Sequence, residues 1–322
     1  MELNKTKWGF IFAVFSALFW GTASTFIKVL TDLGLKDITL VAMQPTVLAI
    51  FFLCRLLVSQ PKFLLINWKY LLMMVFHGSI LLGGVNYCNV RAIFLIPVGI
   101  LSIISFCHII LLMIVTRIVF GYRITKEKIS AALIALIGLS LVLEIYQVGS
   151  STLNWKGVFW AALNPIGLSI AYTLIKLYLL NGINYQTYIF YTNLFAAMFF
   201  WYAAPPWSII NEMFALGSLH GLYFWLIVLG FLAIPLVGSY TLFGKAYQLI
   251  EPTYVSIMFS LEPLMATVLG YFVLHQSLNG VQMLGILITL IPVVYIQYHE
   301  GKGKDDMEIK AKKSTPIYSH SG

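Results

Sequence analysis

Long runs of apolar residues recur along almost the whole chain, separated by short polar stretches. Each run holds about 20 residues, the length that a helix needs to cross the hydrocarbon core of a bilayer. Apolar positions are continuous rather than alternating, so a transmembrane barrel is excluded. The pattern predicts an all-α polytopic membrane protein with ten transmembrane helices, at residues 8–30, 38–58, 69–89, 93–118, 126–147, 155–180, 185–204, 221–244, 251–274 and 279–298.

The segments outside these spans are short. Residues 1–7 form an N-terminal segment, and residues 148–154 link the fifth and sixth spans. The longest connection, 203–221, is amphipathic and is predicted to lie at the membrane interface. The charged segment 299–322 has the composition of a disordered tail. The first apolar run is too long for a signal peptide, and Trp20 occupies a region where a cleavage site needs small residues, so we predict a retained helix.

Composition and charge agree with this prediction. Charged residues make up 10% of the chain, against about 25% in soluble domains. The net charge of +8 comes from residues at span ends and in the tail, which is typical of membrane topology rather than nucleic-acid binding. Sixteen Lys and Arg residues fall on the N-terminal side of the predicted membrane and four on the other, so both termini are predicted to be cytoplasmic.

The two halves of the chain contain a weak internal repeat. At an offset of 148 residues, 7–30 aligns with 155–178, and at an offset of 154 the later spans align, for example Leu95-Ile96 with Leu249-Ile250. Each half, 8–147 and 155–298, has five predicted spans. Because five is odd, the halves cross the membrane in opposite directions. Inverted repeats of this kind are typical of secondary transporters with a substrate site at the midplane.

Three segments resemble a known family. The stretches "FSALFWGTASTFIK", "SLEPLMATVLGYFVLHQSL" and "GVQMLGILITLIPVVYI" resemble the first, ninth and tenth spans of EamA-type proteins of the drug/metabolite transporter superfamily. The resemblance covers roughly residues 8–298. It implies a ten-helix transporter of small metabolites, often amino acids and commonly moved outward. Tyr122 and Gln276 stand where the family usually has glutamate, so no role of those glutamates is carried over.

Glu262 and Pro263 lie in the middle of the predicted ninth span. A charged carboxyl there costs at least about 2.5–3.5 kcal/mol if it is unpaired. The 154-residue offset aligns Glu262 with His108, and Ser105 shares a helix face with His108 as Phe259 does with Glu262. Three interpretations stay open for Glu262: a proton-coupling group, a counter-ion for a substrate ammonium, or a packing group beside a helix bend at Pro263.

Other candidates follow from position. His77 lies in the middle of the third predicted span, where it is either a substrate or coupling group or a satisfied structural histidine. Among the abundant aromatics, Trp20, Tyr172, Tyr240 and Phe259 fall at depths where they could wall a cavity, the alternative being contact with lipid. Trp20 precedes Gly21 in the first-span motif, and Gly21 and Pro263 are candidates for conformational roles.

Four cations obey the repeat symmetry. Lys28 is the repeat partner of Lys176, and Arg91 is the repeat partner of Lys245. Inversion of the halves puts Lys28 and Arg91 at the predicted outer mouth, and Lys176 and Lys245 at the inner one. They could steer a carboxylate or phosphate substrate. Alternatively, they extend to lipid head groups, as long cationic side chains commonly do.

These patterns predict a transporter rather than an enzyme. The sequence holds no HExxH, G-x-S-x-G or Walker A motif and no His/Cys cluster with metal-ligand spacing, so we expect no metal and no cofactor. The predicted substrate is an amino-acid-like zwitterion, moved by alternating access and with protons as a candidate coupling ion. The alternatives are amines, quaternary ammonium compounds or lipophilic drugs, and, in another class, a non-transporting scaffold or lipid-interacting protein. We expect residence in a bacterial cytoplasmic membrane, with the lipid bilayer and a small molecule, not nucleic acid, as partners.

Overall fold

The computed structural model describes residues 2–147 and 154–314, with side chains described for 5–147 and 154–298. All regular structure in these ranges is helical. In the first half it comprises α1 (Glu2–Gly21), α2 (Ala23–Asp32), α3 (Asp37–Ser59), a short 3₁₀ turn (Pro61–Leu64), α4 (Trp68–Phe76), a π-helix (His77–Gly84), α5 (Val85–Ile93), α6 (Val98–Phe106), α7 (His108–Phe120), α8 (Lys126–Val142) and a 3₁₀ turn (Ile145–Gln147).

The second half repeats this order. It contains α9 (Trp155–Leu180), α10 (Tyr185–Trp201), α11 (Pro206–Phe231), a second π-helix (Leu232–Gly238), α12 (Ser239–Leu249), α13 (Pro252–Met258), α14 (Leu261–Leu274) and α15 (Gly280–Ser314). In the described part of the chain, eight helices are long and apolar enough to cross a membrane. Two further predicted spans, the fifth and the seventh, correspond to α8 and α10, which have 17 residues each.

Local chemistry explains where many helices begin. The side chains of Asn67, Thr125, Asn154 and Asn184 each accept a hydrogen bond from a backbone N–H in the first turn of the helix that follows. Such caps satisfy N–H groups that have no partner inside the helix. They stand at the starts of four predicted spans, so the polar residues between apolar runs set the helix boundaries.

Backbone irregularities recur at equivalent places in the two halves. The π-helices begin at His77 and Leu232 and end at Gly84 and Gly238. The offset of 154 residues aligns the two segments in sequence to within one residue. Gly121 and His275, also 154 apart, both end their helices in the left-handed conformation. The paired spans α6–α7 and α13–α14 are each interrupted near the middle. The repeat seen weakly in sequence is therefore present in the backbone.

Helices from the two halves interlock. α1 packs along α12, α9 along α5, α3 along α10, and α8 along α15. Small residues allow the closest approaches: a Cβ added to Gly9 would lie 2.7 Å from Ile250 Cγ2, and one added to Gly157 would lie 2.7 Å from Ile96 Cγ2. Gly9 and Gly157 are repeat partners, and so are Ile250 and Ile96. Each half thus supplies the packing partner of the other's first helix.

Three details of the backbone add to what the sequence predicts. Segment 203–221 is a helix from Pro206 that breaks at Gly221 (φ 64°, ψ −144°), because glycine tolerates a conformation that other residues avoid. The fifth span ends at Val142 rather than 147, since Glu144 adopts φ 52°. Helical backbone continues from the tenth span to Ser314, and disorder of the charged segment 299–322 stays a prediction. Residues 148–153, most of the predicted linker, and 315–322 lie outside the described residues.

Candidate functional site

A cavity of about 470 Å³ lies between the two halves. Its walls come from α1, the first π-helix, α5, α6, α7, α9, α10, α12 and the α13–α14 junction. The structure brings together all eight residues that we predicted as substrate or coupling candidates, which line this cavity: Trp20, His77, Ser105, His108, Tyr172, Tyr240, Phe259 and Glu262. The repeat predicted a substrate site between the halves, and that hypothesis requires these eight residues to lie close together there.

Glu262 lies in the first turn of α14, directly after the interruption between α13 and α14. A helix N-terminus carries partial positive charge, which favours a carboxylate at this place. Pro263 follows in the same turn, where backbone N–H groups have no intrahelical partner, so it removes no hydrogen bond. The predicted bend at Pro263 is therefore a complete helix break, and the break presents the carboxyl to the cavity.

His108 is the first residue of α7 and the repeat partner of Glu262. Its Nδ1 lies 2.9 Å from the Ser105 carbonyl oxygen. A carbonyl can only accept, so Nδ1 carries the hydrogen and Nε2 is an acceptor in the neutral ring. Nε2 is buried and has no hydrogen-bond partner in the described part of the chain. Glu262 and His108, which are equivalent in the repeat, thus both supply a hydrogen-bond acceptor.

His77 is fully buried where α4 passes into the first π-helix. Its Nε2 lies 3.2 Å from the Tyr188 hydroxyl, and its ring packs against those of Tyr178 and Tyr188, at centroid distances of 6.1 and 5.3 Å. These contacts fix the ring and agree with a structural role. Its Nδ1 has no partner among the described residues, so one polar atom is left in the cavity wall.

Aromatic rings make a continuous wall next to Glu262. Trp20 lies 4.9 Å from Tyr240 and 6.3 Å from Phe259 between ring centroids. Tyr172 extends this wall to the other half of the molecule, with its ring 5.4 Å from that of His108 and 5.7 Å from that of Phe243. Such rings can stack on a flat substrate or stabilise a cation through their faces.

Three asparagines of the lining were not found from the sequence. Asn86 and Asn89 follow the first π-helix, and Asn164 lies on α9. The Asn164 side-chain amide donates to Asn89 Oδ1, and Asn164 Oδ1 is buried without a partner in the described residues. The sequence signal was available: an uncharged amide within an apolar span also needs a hydrogen-bond partner, because burying it unpaired costs free energy.

The four predicted mouth cations lie outside the central cavity. Lys28 forms an exposed ion pair with Asp32, 2.5 Å between Nζ and Oδ1. The Arg91 guanidinium lies 6.0 Å from the Trp160 ring centroid, and Lys245 Nζ lies 5.2 Å from that of Phe12. Lys176 is buried and donates to the carbonyl oxygens of Tyr247 and Ile250. Extension of Lys176 to lipid head groups is therefore contradicted, because its charge is bound inside the protein.

The cavity has one open and one closed end. Ile93 and Val98, at the α5–α6 connection, line it and are 48% and 59% exposed, which marks the open end. At the opposite end Tyr247, Val255 and Ile257 are fully buried. A second pocket of about 300 Å³, lined by Lys176, Tyr185 and Gln248 among others, lies beyond this closed end.

The closed end also holds an ion pair that the sequence did not predict. Lys128 of α8 is buried, and its Nζ lies 2.6 Å from Glu251 Oε2 and 4.7 Å from the Tyr254 ring centroid. Glu251 precedes α13, so the pair joins α8 to the helix that leads to Glu262. Both residues stand at predicted span ends, where the sequence favours head-group contacts, and only the fold brings them together.

Two repeated helical halves around a central cavity that holds a few buried polar groups are typical of inverted-repeat membrane transporters. The family model described as "EamA-like transporter family" matches residues 7–144 and 155–298, and the chain belongs to that family. A solved structure described only as "Crystal structure of protein" is similar over 88% of this chain and 94% of its own, with a TM-score of 0.67 and 14% sequence identity. That likeness concerns the fold alone. A search among curated proteins gave no match.

Proposed function

We propose that this protein carries small amine-bearing metabolites across the membrane by alternating access. The observation that carries the proposal is the charge of the cavity lining. Among the residues that the structure describes, Glu262 is the one acidic residue of the lining, and no Lys or Arg lines it. A carboxylate beside Trp20, Tyr240 and Phe259 suits an ammonium group, which gains from both the charge and the ring faces. A phosphorylated substrate would find no basic partner there.

The acceptor character of the remaining polar groups supports the same class of substrate. His108 offers Nε2 as an acceptor, and Asn164 Oδ1 lacks a donor. Unsatisfied acceptors in a site favour ligands that bring N–H or O–H groups, because leaving a buried acceptor unpaired costs about 1–3 kcal/mol. A protonated primary amine brings three donors.

An amino-acid-like zwitterion remains a candidate, for a reason other than the one the sequence suggested. The cationic mouths do not line the cavity, so they do not support it. Asn86 and Asn89 lie on the cavity wall and carry neutral amide donors that could bind a substrate carboxylate. The ammonium would then lie by Glu262 and the carboxylate by the asparagines.

Proton coupling and outward transport belong to the proposal. A single carboxyl that binds either a proton or a substrate ammonium gives exchange of the two across the membrane. With both termini cytoplasmic, the open end at Ile93 and Val98 faces away from the cytoplasm, and a bacterial cytoplasmic membrane is the expected location. This topology is supported by the distribution of Lys and Arg.

The test begins with thermal unfolding of the detergent-purified protein against amines, amino acids, quaternary ammonium compounds and phosphorylated metabolites. A ligand present at 100 times its dissociation constant stabilises the folded state by about 2.7 kcal/mol. Compounds that shift the unfolding temperature are then tested for exchange in proteoliposomes. Stabilisation and exchange by amines support the proposal, whereas binding restricted to anionic metabolites would overturn it.

A further inference from the structure

Lys176 ties two helices together at the closed end of the central cavity. Its Nζ lies 2.9 Å from the carbonyl oxygen of Tyr247 and 3.4 Å from that of Ile250. These carbonyls belong to the last turn of α12 and the residue after it, where helix carbonyls lack partners and carry partial negative charge. A buried cation on α9 therefore caps the end of α12.

This contact separates the central cavity from the second pocket. Ile175 and Phe243 line the central cavity, whereas the neighbouring Lys176 lines the second pocket together with Tyr185 and Gln248. The hydrogen bonds of Lys176 thus cross the barrier between the substrate cavity and the far side of the protein. Breaking them would let the ends of α9 and α12 move apart.

Lys28, the repeat partner of Lys176, makes a different contact. Its Nζ binds Asp32 on its own helix, and both side chains are more than half exposed. The carbonyls that the 154-residue offset assigns to it belong to Ile93 and Ile96, at the end of α5. Ile93 marks the open end of the cavity. The two lysines therefore occupy equivalent places at a closed and an open end.

We propose that Lys176 and Lys28 are positioning residues that close the two ends of the cavity in alternation. In the opposite state, Lys176 releases the Tyr247 and Ile250 carbonyls, while Lys28 leaves Asp32 and donates to the Ile93 and Ile96 carbonyls. An exposed ion pair contributes little, so exchanging the Asp32 partner for helix-end carbonyls costs little. The inference rests on the alternating-access part of the proposed function, and it needs no knowledge of the substrate.

Two serines that are repeat partners provide matched reporters. Ser102 lines the open cavity, and Ser256 is 1% exposed at the closed end. Cys54, Cys88 and Cys107 are first replaced by serine or alanine, and Ser102→Cys or Ser256→Cys is then introduced. Reaction rates with a small charged methanethiosulfonate are measured in detergent without substrate. We expect fast reaction at position 102 and slow reaction at position 256.

Lys176→Met is expected to raise the rate at position 256 about tenfold and to lower the rate at position 102, because one state loses its closing contact. Lys28→Met is expected to do the reverse. The double variant Lys176→Met/Lys28→Met should return both reaction rates towards those of the background protein. The matched control is Lys245→Met, since that lysine lies over the Phe12 ring at the same end of α12 and should change neither rate.

A rise at both reporters in Lys176→Met would mean general loosening and would overturn the inference, as would no change at either. A double variant with the rates of Lys176→Met alone would overturn the role of Lys28. These outcomes are distinct from failure of the proposed substrate class, because the readout contains no ligand and a lack of amine binding would leave it unaffected.

Discussion

Gly21 lies directly against the backbone of Glu262. A Cβ added to Gly21 would come within 2.5 Å of the Glu262 carbonyl oxygen and 2.7 Å of Met265 Cβ. The end of α1 and the first turn of α14 therefore touch backbone to backbone at the point where both helices are interrupted. The depth at which the Glu262 carboxyl enters the cavity depends on this contact.

Gly21→Ala is expected to destabilise the protein by about 1–3 kcal/mol and to reduce transport, because the backbone of α14 cannot give way as a flexible side chain would. Thermal unfolding and exchange in proteoliposomes measure the two effects. Gly84→Ala is the matched control, since a Cβ there meets nothing within 4 Å. Equal stability of the two variants would contradict the close contact.

Glu262→Gln keeps the shape of the side chain and removes its charge. We expect binding of a primary amine to weaken roughly 10- to 150-fold, which corresponds to the loss of a hydrogen bond to a charged group. Gradient-driven accumulation should be abolished while downhill exchange continues at saturating substrate. Uptake with and without a pH gradient checks this, and unchanged accumulation would remove Glu262 from the mechanism.

Competition between protons and amine predicts a pH dependence. If both bind the Glu262 carboxyl, acidification protonates the carboxyl and weakens amine binding, so the amine dissociation constant should rise as pH falls. The Glu262→Gln variant should lose this dependence. Binding titrations of both proteins at several pH values, with an amine that stays protonated throughout, measure it; a parallel pH dependence in the variant would place the titrating group elsewhere.

Trp20 is expected to contribute to amine binding through its ring face. Trp20→Ala should weaken amine affinity by about 0.5–2 kcal/mol, while Trp20→Phe should retain part of it. Trp8→Ala serves as control, because Trp8 is half exposed and packs beside Phe12, away from the cavity lining. If the Trp8 and Trp20 variants bind amines equally well, the aromatic wall does not contact the substrate.

The Lys128–Glu251 pair is expected to stabilise the closed end. Lys128→Met should cost about 1.5–3 kcal/mol, because it leaves Glu251 without its charged partner. The double variant Lys128→Met/Glu251→Gln should be less destabilised than the sum of the two single variants, since neither charge is then stranded. Additive losses in a thermal double-mutant cycle would show that the two residues act independently.

Sequence predicted the apolar helices and eight of the residues that line the cavity because both follow from local requirements. Apolar runs of sufficient length form helices in lipid, and polar side chains within them must face protein. The π-helices could not be predicted in this way. They depend on contacts between distant segments, such as the close approach of Gly78 to the Thr192 carbonyl, which leaves no room for a Cβ.

The different contacts of Lys28 and Lys176 could not be predicted from the sequence either. A repeat assigns equivalent residues equivalent places in the fold. The structure nevertheless buries one lysine against carbonyls and leaves the other exposed. The repeat pairs the two lysines but does not tell which of them is buried.

The reciprocal contacts of Gly9 with Ile250 and of Gly157 with Ile96 bear on how the molecule is made. The surface that receives the start of α1 is synthesised about 240 residues later, well into the second half. Until then, the first helix lacks the neighbour against which it packs. The first half therefore enters the bilayer before its packing partners exist, and the two halves assemble only as the second half follows it.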